Sequence, residues 1–457
     1  MKLKSQSCRL TKSGEKEEDR ISELPIQLKE AILGCLPITD AIRTSVLSRE
    51  WRYIWTSVTK LVVNWRFWEP WNWKGRMRKV KAVNKILLAH NGPIREFYLD
   101  VTYFDCYLDA GFWLLSLSKK GVENIKITGF YCFNRKYLSI PSSMFECREL
   151  KRLSLSHCGL SPSYCGLSPP SEFRGFHNLV SLYLNCVRIE SQFLRNLIRQ
   201  CPLLETLTIG HEPFGLTEIP IVLNSHSLKS LKLINIYLGS VSFENVPYLT
   251  NVSLWGMSGY DQRDLQKRLK AWEFMSFLIG IKELSFQFSL LEISDSDVIP
   301  KRLPELLGNL KTVDLHYMDA SSVDQMAFMF CIISSSPNLQ NLNIHMRYMY
   351  KCGRRFDKDS LRAVIAYLEV EAKGEIKTSI TTVSVNFEKL NNYLDWEHIE
   401  AEIALIESIA SCCPALRKLV IKGSSFVKGY AKLQLSRALR RIGRSSGRPK
   451  IVYFNAY

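Results

Sequence analysis

The chain has 457 residues, 46% hydrophobic and 23% charged, with a formal net charge of +17. That length holds more than one ordinary domain and a sizeable core. No run of eighteen apolar residues exists, and the densest, Met326 to Ile333, is too short to cross a bilayer, so no membrane partner is expected.

Residues 1–18 are polar and charged, which predicts a disordered leader and no signal peptide. The thirteen cysteines form no tight framework, so reduced thiols in the nucleus or cytoplasm are expected. The charge is uneven. Lys74 to Lys85 is basic without an acid, and no Asp or Glu follows Glu407. Such a surface attracts nucleic acid, a small anion or an acidic protein, although a solvated basic face is the commoner outcome.

Asp19 to Trp55 reads as three short helices. Ser22 is a candidate cap for the first, with Pro25 in its first turn, and Leu24, Leu28, Ile32 and Leu36 recur every four residues on one face. Pro37 ends that helix. Thr39 can cap a second helix running through Ala41, Ile42 and Val46, and Ser48 a third carrying Trp51 and Trp55. So small a unit cannot bury all this apolar surface, and the excess should face a partner. Lys60 to Asn64 reads as a strand. The aromatic run Trp65, Phe67, Trp68, Trp71 and Trp73, interleaved with Arg66 and Lys74, suits a packed junction better than base stacking. A helix from Arg76 to Ala89 follows.

From Ile94 onward one pattern recurs: an apolar residue, two others, an apolar, one other, an apolar. It starts at Ile94, Val122, Leu150, Leu179, Leu204, Leu228, Leu249, Ile281, Leu310, Leu339, Ile380 and Leu416. The steps lie mostly in or near the range of roughly 20–29 residues of leucine-rich repeats. Several copies open with Pro-x-Leu after an apolar helical run, a repeated helix–strand unit that stacks into a solenoid with its strands on the concave side. From about Lys373 the pattern becomes strand (Ile380 to Phe387), helix (Ile399 to Ala410), strand (Leu416 to Lys422), helix (Leu433 to Ile442) and strand (Ile451 to Phe454), which should cap the solenoid.

The segment D-R-I-S-x-L-P…I-L…L-P…D-A-x-R-T-S-x-L-S-x-x-W-R-x-x-W resembles an F-box, in the form found in plant F-box proteins with leucine-rich repeats. The segment from Glu400 to Ile421, with Cys413-Pro414, is similar to the FBD unit that closes many of them. The resemblance implies an α/β chain. Its parts are a leader (1–18), a three-helix F-box (19–60), a linker helix and aromatic junction (61–93), an irregular leucine-rich-repeat solenoid (94–372) and an FBD-like cap (373–457). It implies a non-catalytic substrate receptor docking on a Skp-type adaptor, and through it on a cullin-RING ubiquitin ligase, with Leu24, Pro25, Ile32, Leu36, Val46, Leu47 and Trp51 making or supporting the contact.

No phosphate loop, His-Glu-x-x-His, Gly-x-Ser-x-Gly or Cys-x-x-Cys occurs, and the spacing of Cys147, His157, Cys158, Cys165 and Cys186 fits no standard zinc module, so no cofactor or metal is expected. A protein target is expected on the concave residues around the last apolar position of each repeat, above all Tyr183, Asn185, Lys232, Ile234, Trp255 and His316. A basic nucleic-acid-binding scaffold or a ligand sensor is the competing reading. Nucleic acid is the weaker of these partners, because only the charge favours it; the concave positions are mixed and not strongly basic, so the charge excess lies elsewhere.

Overall fold

The computed structural model describes residues 21–68, 73–101, 110–129, 138–159, 173–211, 220–236, 240–256, 269–270, 279–288, 291–292, 299–319, 321–347, 358–370, 378–388, 396–424, 430–443 and 449–456. The leader, Trp71 and Cys165 lie outside them.

Fourteen strands form one parallel sheet in which chain order is spatial order. They are β1 (Lys60–Val63), β2 (Glu96–Asp100), β3 (Asn124–Thr128), β4 (Arg152–Ser156), β5 (Ser181–Asn185), β6 (Thr206–Gly210) and β7 (Ser230–Ile234). Then come β8 (Asn251–Trp255), β9 (Glu283–Gln287), β10 (Thr312–Met318), β11 (Asn341–Arg347), β12 (Thr382–Glu388), β13 (Lys418–Ser424) and β14 (Lys450–Ala456). The sheet does not close, since β1 and β14 stand at opposite ends. Every strand expected from the repeat pattern is present.

The period of two explains the layering. The second and third apolar residues of each motif share register from strand to strand, as in Phe97, Ile125, Leu153 and Leu182 and in Leu99, Ile127, Leu155 and Leu184. All are buried, forming continuous rows along the solenoid. Truncating one such leucine to alanine costs about 2–5 kcal/mol. Helices pack behind the later strands: Val323–Ser335, Lys358–Val370, Trp396–Cys412 and Tyr430–Ile442, each against the next. Helices need about 8–10 Å of separation and strands about 4.8 Å, so the helical side is the longer and the strands line the inner curve.

Pro-x-Leu has a definite place in this architecture. A four-residue turn enters each of several strands: Leu204 N–H donates to Cys201 O (3.2 Å), Leu249 to Val246 O (3.1 Å), Leu339 to Ser336 O (3.2 Å) and Leu416 to Cys413 O (3.0 Å). Pro202, Pro247, Pro337 and Pro414 take the second position, where a fixed φ favours the turn and no N–H is needed. Strand exits are as regular. His157, Cys186, Asn235 and Tyr317, each directly after the last outward-facing rung of its strand, have φ of 52–54°. At the matching place after β3 is Gly129, where an added Cβ would lie 2.2 Å from His157 O.

The N-terminal unit joins the sheet directly through β1. Trp68 Nε1 donates to Asp100 O (2.7 Å), and Trp68 packs edge-on against Phe67. Both rings are buried, as a junction requires, whereas Trp65 stays exposed with Arg66 over its face. Buried His90 bridges Val58 O (2.8 Å, Nε2) and Gly92 O (3.0 Å, Nδ1). Cys147, Cys158 and Cys186 are buried thiols outside any disulfide; burial pushes the Cys147 thiol up to about 12, so it stays protonated filler.

Candidate adaptor-binding and target-binding faces

Helix α1 spans Ile26–Gly34 and α2 Ile38–Arg43. Three local expectations fail. Thr39 does not cap α2 but lies within it, Pro37 holding the cap position, and Val46 falls in a 3-10 turn beyond its end. Ser22 does not cap α1: Pro25 occupies the cap position without a side-chain bond, and Ser22 Oγ instead donates to Ser48 Oγ (3.5 Å). The third helix is absent as an α-helix. Thr44–Val46 and Ile54–Ser57 are single 3-10 turns with Trp51 in the bend between. Thr56 Oγ1 donates to Tyr53 O (2.7 Å) and Ser57 Oγ to Ile54 O (2.8 Å), and such local bonding by Ser and Thr favours turns over helix.

The unit turns Leu33, Ile38, Ala41, Trp51 and Ile54 inward. The face read from Leu24, Leu28, Ile32 and Leu36 points the other way. Ile26, Leu28, Ile32 and Leu36 remain exposed, as does Pro25, while Leu24 is half-buried. Val46 and Leu47 are 86% and 64% exposed. Trp51, at 2%, lies beneath this surface and can only support it. One contributor escaped the apolar pattern. Lys29 is buried, its Nζ on Glu50 Oε2 (2.8 Å) and Ser22 O and over the Trp51 ring (5.8 Å), so it ties the entry to α1 to the bend that presents Leu47. A lysine at the α1 position next to inward-facing Leu33 was its only trace in the sequence.

On the concave face, Lys232 on β7, Trp255 on β8 and His316 on β10 come together. Lys232 Nζ lies 5.2 Å from the Trp255 ring, and the Trp255 and His316 rings are 4.2 Å apart. The chain of contacts continues: His316 stacks on His345 of β11 (4.5 Å, 16° between planes), and Asn386 Nδ2 of β12 lies 3.2 Å from His345 Nδ1. Trp255 and His316 meet across the intervening β9 because Gln287 is buried there, its Oε1 accepting from Gly256 N–H (3.2 Å). Ile234 is the register neighbour of Trp255 and half-buried. Tyr183 and Asn185 sit on β5, three strands from Trp255, and do not join; Asn185 lies over Gly210 instead. Burial, with help from His345 and Lys232 and against Asp314, holds His316 down to about 4. His316 is therefore neutral near pH 7. Among the described residues no cluster of three metal-ligating side chains exists.

Residues 21–62 match the F-box domain, and residues 110–344 match the leucine-rich repeats of the FBD-associated F-box protein At5g56370. The chain is 31% identical over 338 residues to the Arabidopsis thaliana F-box/FBD/LRR-repeat protein At1g13570, covering 71% of this chain and 76% of that protein. It is 24% identical over 458 residues to the Arabidopsis F-box/FBD/LRR-repeat protein At2g04230, covering 88% and 97%. A putative F-box/FBD/LRR-repeat protein of the same plant, At5g44950, is 26% identical over 362 residues, covering 77% and 76%. With fourteen register-locked strands behind an N-terminal unit that keeps its apolar face outward, the chain belongs to the F-box/FBD/leucine-rich-repeat proteins.

Proposed function

We propose that this protein is the substrate receptor of a Skp-cullin-F-box ubiquitin ligase, acting in the nucleus or cytoplasm. The face of Pro25, Ile32, Leu36, Val46 and Leu47 docks on the Skp-type adaptor, and the concave shelf from Lys232 to Asn386 engages a target protein. The chain does no bond chemistry. It holds the target close to the charged conjugating enzyme and so raises its effective concentration there. The observation that carries the reading is the outward apolar face of a unit that has its own buried core, since exposed apolar groups in one patch mark an interaction surface.

Two variants of the full chain test the two faces. Leu24→Ala with Pro25→Ala should abolish co-purification of the adaptor while the repeats stay folded by circular dichroism. Trp255→Ala with His316→Ala should leave the adaptor bound and abolish capture and turnover of targets found by mass spectrometry. Undiminished adaptor binding sinks the first assignment, and unchanged targets sink the second. A tight, sequence-selective nucleic-acid complex that survives physiological salt would favour the scaffold reading instead.

A further inference from the structure

The rim at which strands enter the sheet carries a charge pattern separate from both faces. One residue per repeat, just before its strand, continues the sheet's hydrogen bonding: Arg95, Glu123, Lys151, Val180, Glu205, Lys229, Thr250, Lys282, Lys311, Gln340, Thr381 and Arg417. In the first half of the solenoid these charges neutralise one another. Glu123 pairs with Lys151 (2.9 Å) and Arg95 (3.8 Å), Glu205 with Lys229 (2.6 Å), and in the next row Lys60 with Glu96 (3.4 Å).

From β9 onward that balance ends. Lys282, Lys311, Arg417, Lys418 and Lys450 are all exposed, and none has an ion pair with a described residue. Lys282 and Lys311 stand on adjacent strands, about 4.8 Å apart along the sheet, where like charges repel. Glu283, the acid that follows Lys282 in the chain, accepts from Asn251 Nδ2 on the other side. Between the two ends of the strip the rim offers Gln340 and Thr381, neutral hydrogen-bonding groups.

The same rim bears exposed apolar side chains between β6 and β9, leading up to where the charge balance breaks. Leu203 and Tyr248 take the third position of the entry turns of β6 and β8, and Ile279 precedes β9. A phosphodiester backbone has no use for this aliphatic flank, and no stack of exposed aromatics runs along the described rim to hold bases. An acidic peptide with apolar residues at one end complements both parts.

We propose that the entry rim from β6 to β14 docks an acidic segment of a protein partner. Its apolar end lies on Leu203, Tyr248 and Ile279, and its carboxylates lie along Lys282, Lys311, Arg417, Lys418 and Lys450. The inference rests on the receptor reading only for what the segment belongs to: a target, held by a second surface outside the concave shelf.

The test uses the purified full chain and fluorescence polarisation, without adaptor, so adaptor binding and rim binding fail separately. The probes are a labelled peptide with a Leu/Phe end and a Glu/Asp run, a poly-glutamate peptide of equal charge, and a single-stranded RNA of equal charge. The acidic–apolar peptide should bind at least several-fold tighter than the other two. Lys282→Glu with Lys311→Glu should weaken it tenfold or more, Lys282→Arg with Lys311→Arg should restore it, and Tyr248→Ser with Ile279→Ser should bring it down to the poly-glutamate level. Near-UV circular dichroism checks that each variant is folded. RNA binding as tight as the peptide, equal binding of poly-glutamate, or affinity indifferent to the charge reversals overturns the proposal.

Discussion

Val46→Ala with Leu47→Ala gives the sharpest reading of the F-box face, because its cost can be worked out in advance. Val46 is 86% and Leu47 64% exposed, so truncation removes little from the folded chain. Surface changes of this kind stay within about 0.5 kcal/mol of stability. On docking, the same atoms leave water. At about 0.8 kcal/mol per buried CH₂, losing two carbons from Val46 and three from Leu47, scaled by exposure, costs about 1.4 and about 1.5 kcal/mol. Adaptor affinity should fall by about two orders of magnitude. Isothermal titration of the recombinant Skp-type adaptor into the full chain measures it, with thermal melting beside it. Trp51→Phe is the contrast: Trp51 is buried, so its loss should lower the melting temperature and the affinity together. A double variant that binds within threefold of the parent, unfolded by neither heat nor urea at a lower midpoint, would refute the assignment of this face.

Lys29→Ala should strip partners from Glu50 and from the Ser22 carbonyl, destabilising the unit by about 1–3 kcal/mol in urea and weakening the adaptor; an unchanged urea midpoint would show that buried Lys29 holds nothing. Gly129→Ala drives a Cβ to 2.2 Å from a backbone oxygen and should cost about 1–3 kcal/mol or more by urea unfolding, since no side-chain motion relieves it. The pH dependence follows from His316, held below its ordinary 6.5 at about 4. The unfolded chain then binds more protons than the folded one, so stability is full above pH 6.5 and is lost as pH falls toward 4. Partial exposure of the residue limits the effect to about 1 kcal/mol. His316→Asn should flatten that part of the melting-temperature profile, leaving the slope from His90 and His211, which burial also holds low.

Strands were legible because each repeat places apolar residues two apart between turns, and burial enforces that spacing in every strand but β14, where Ile451 and Tyr453 are only partly buried. The helices at Val323–Ser335, Trp396–Cys412 and Tyr430–Ile442 were legible from their apolar runs, whereas the one at Lys358–Val370 was not read from the sequence. Local competition was not. Ser22 and Ser48 look like caps, but they bond each other, and the Thr56 and Ser57 hydroxyls turn a helical pattern into a 3-10 turn. The concave residues could be placed on the right face by parity alone. Their association could not, because Trp255 meets His316 across a strand only where Gln287 is buried out of the way.

The left-handed residues at the strand exits have a further consequence. His157, Cys186, Asn235 and Tyr317 each break the extended backbone directly after the last regular rung of the main ladder, although after Tyr317 the chain returns for one more pairing, Met318 with Met346. Extra sequence inserted just beyond any of the first three therefore adds length without shifting a single rung. The chain carries a record of such growth: Cys158-Gly-Leu-Ser-Pro162 is repeated as Cys165-Gly-Leu-Ser-Pro169 directly after His157. Even so, β4 and β5 stay in register from Arg152 opposite Ser181 to Ser156 opposite Asn185. Duplication within a repeat is thus decoupled from the frame that holds the repeats together, and the exit side can diversify while the core rows stay fixed.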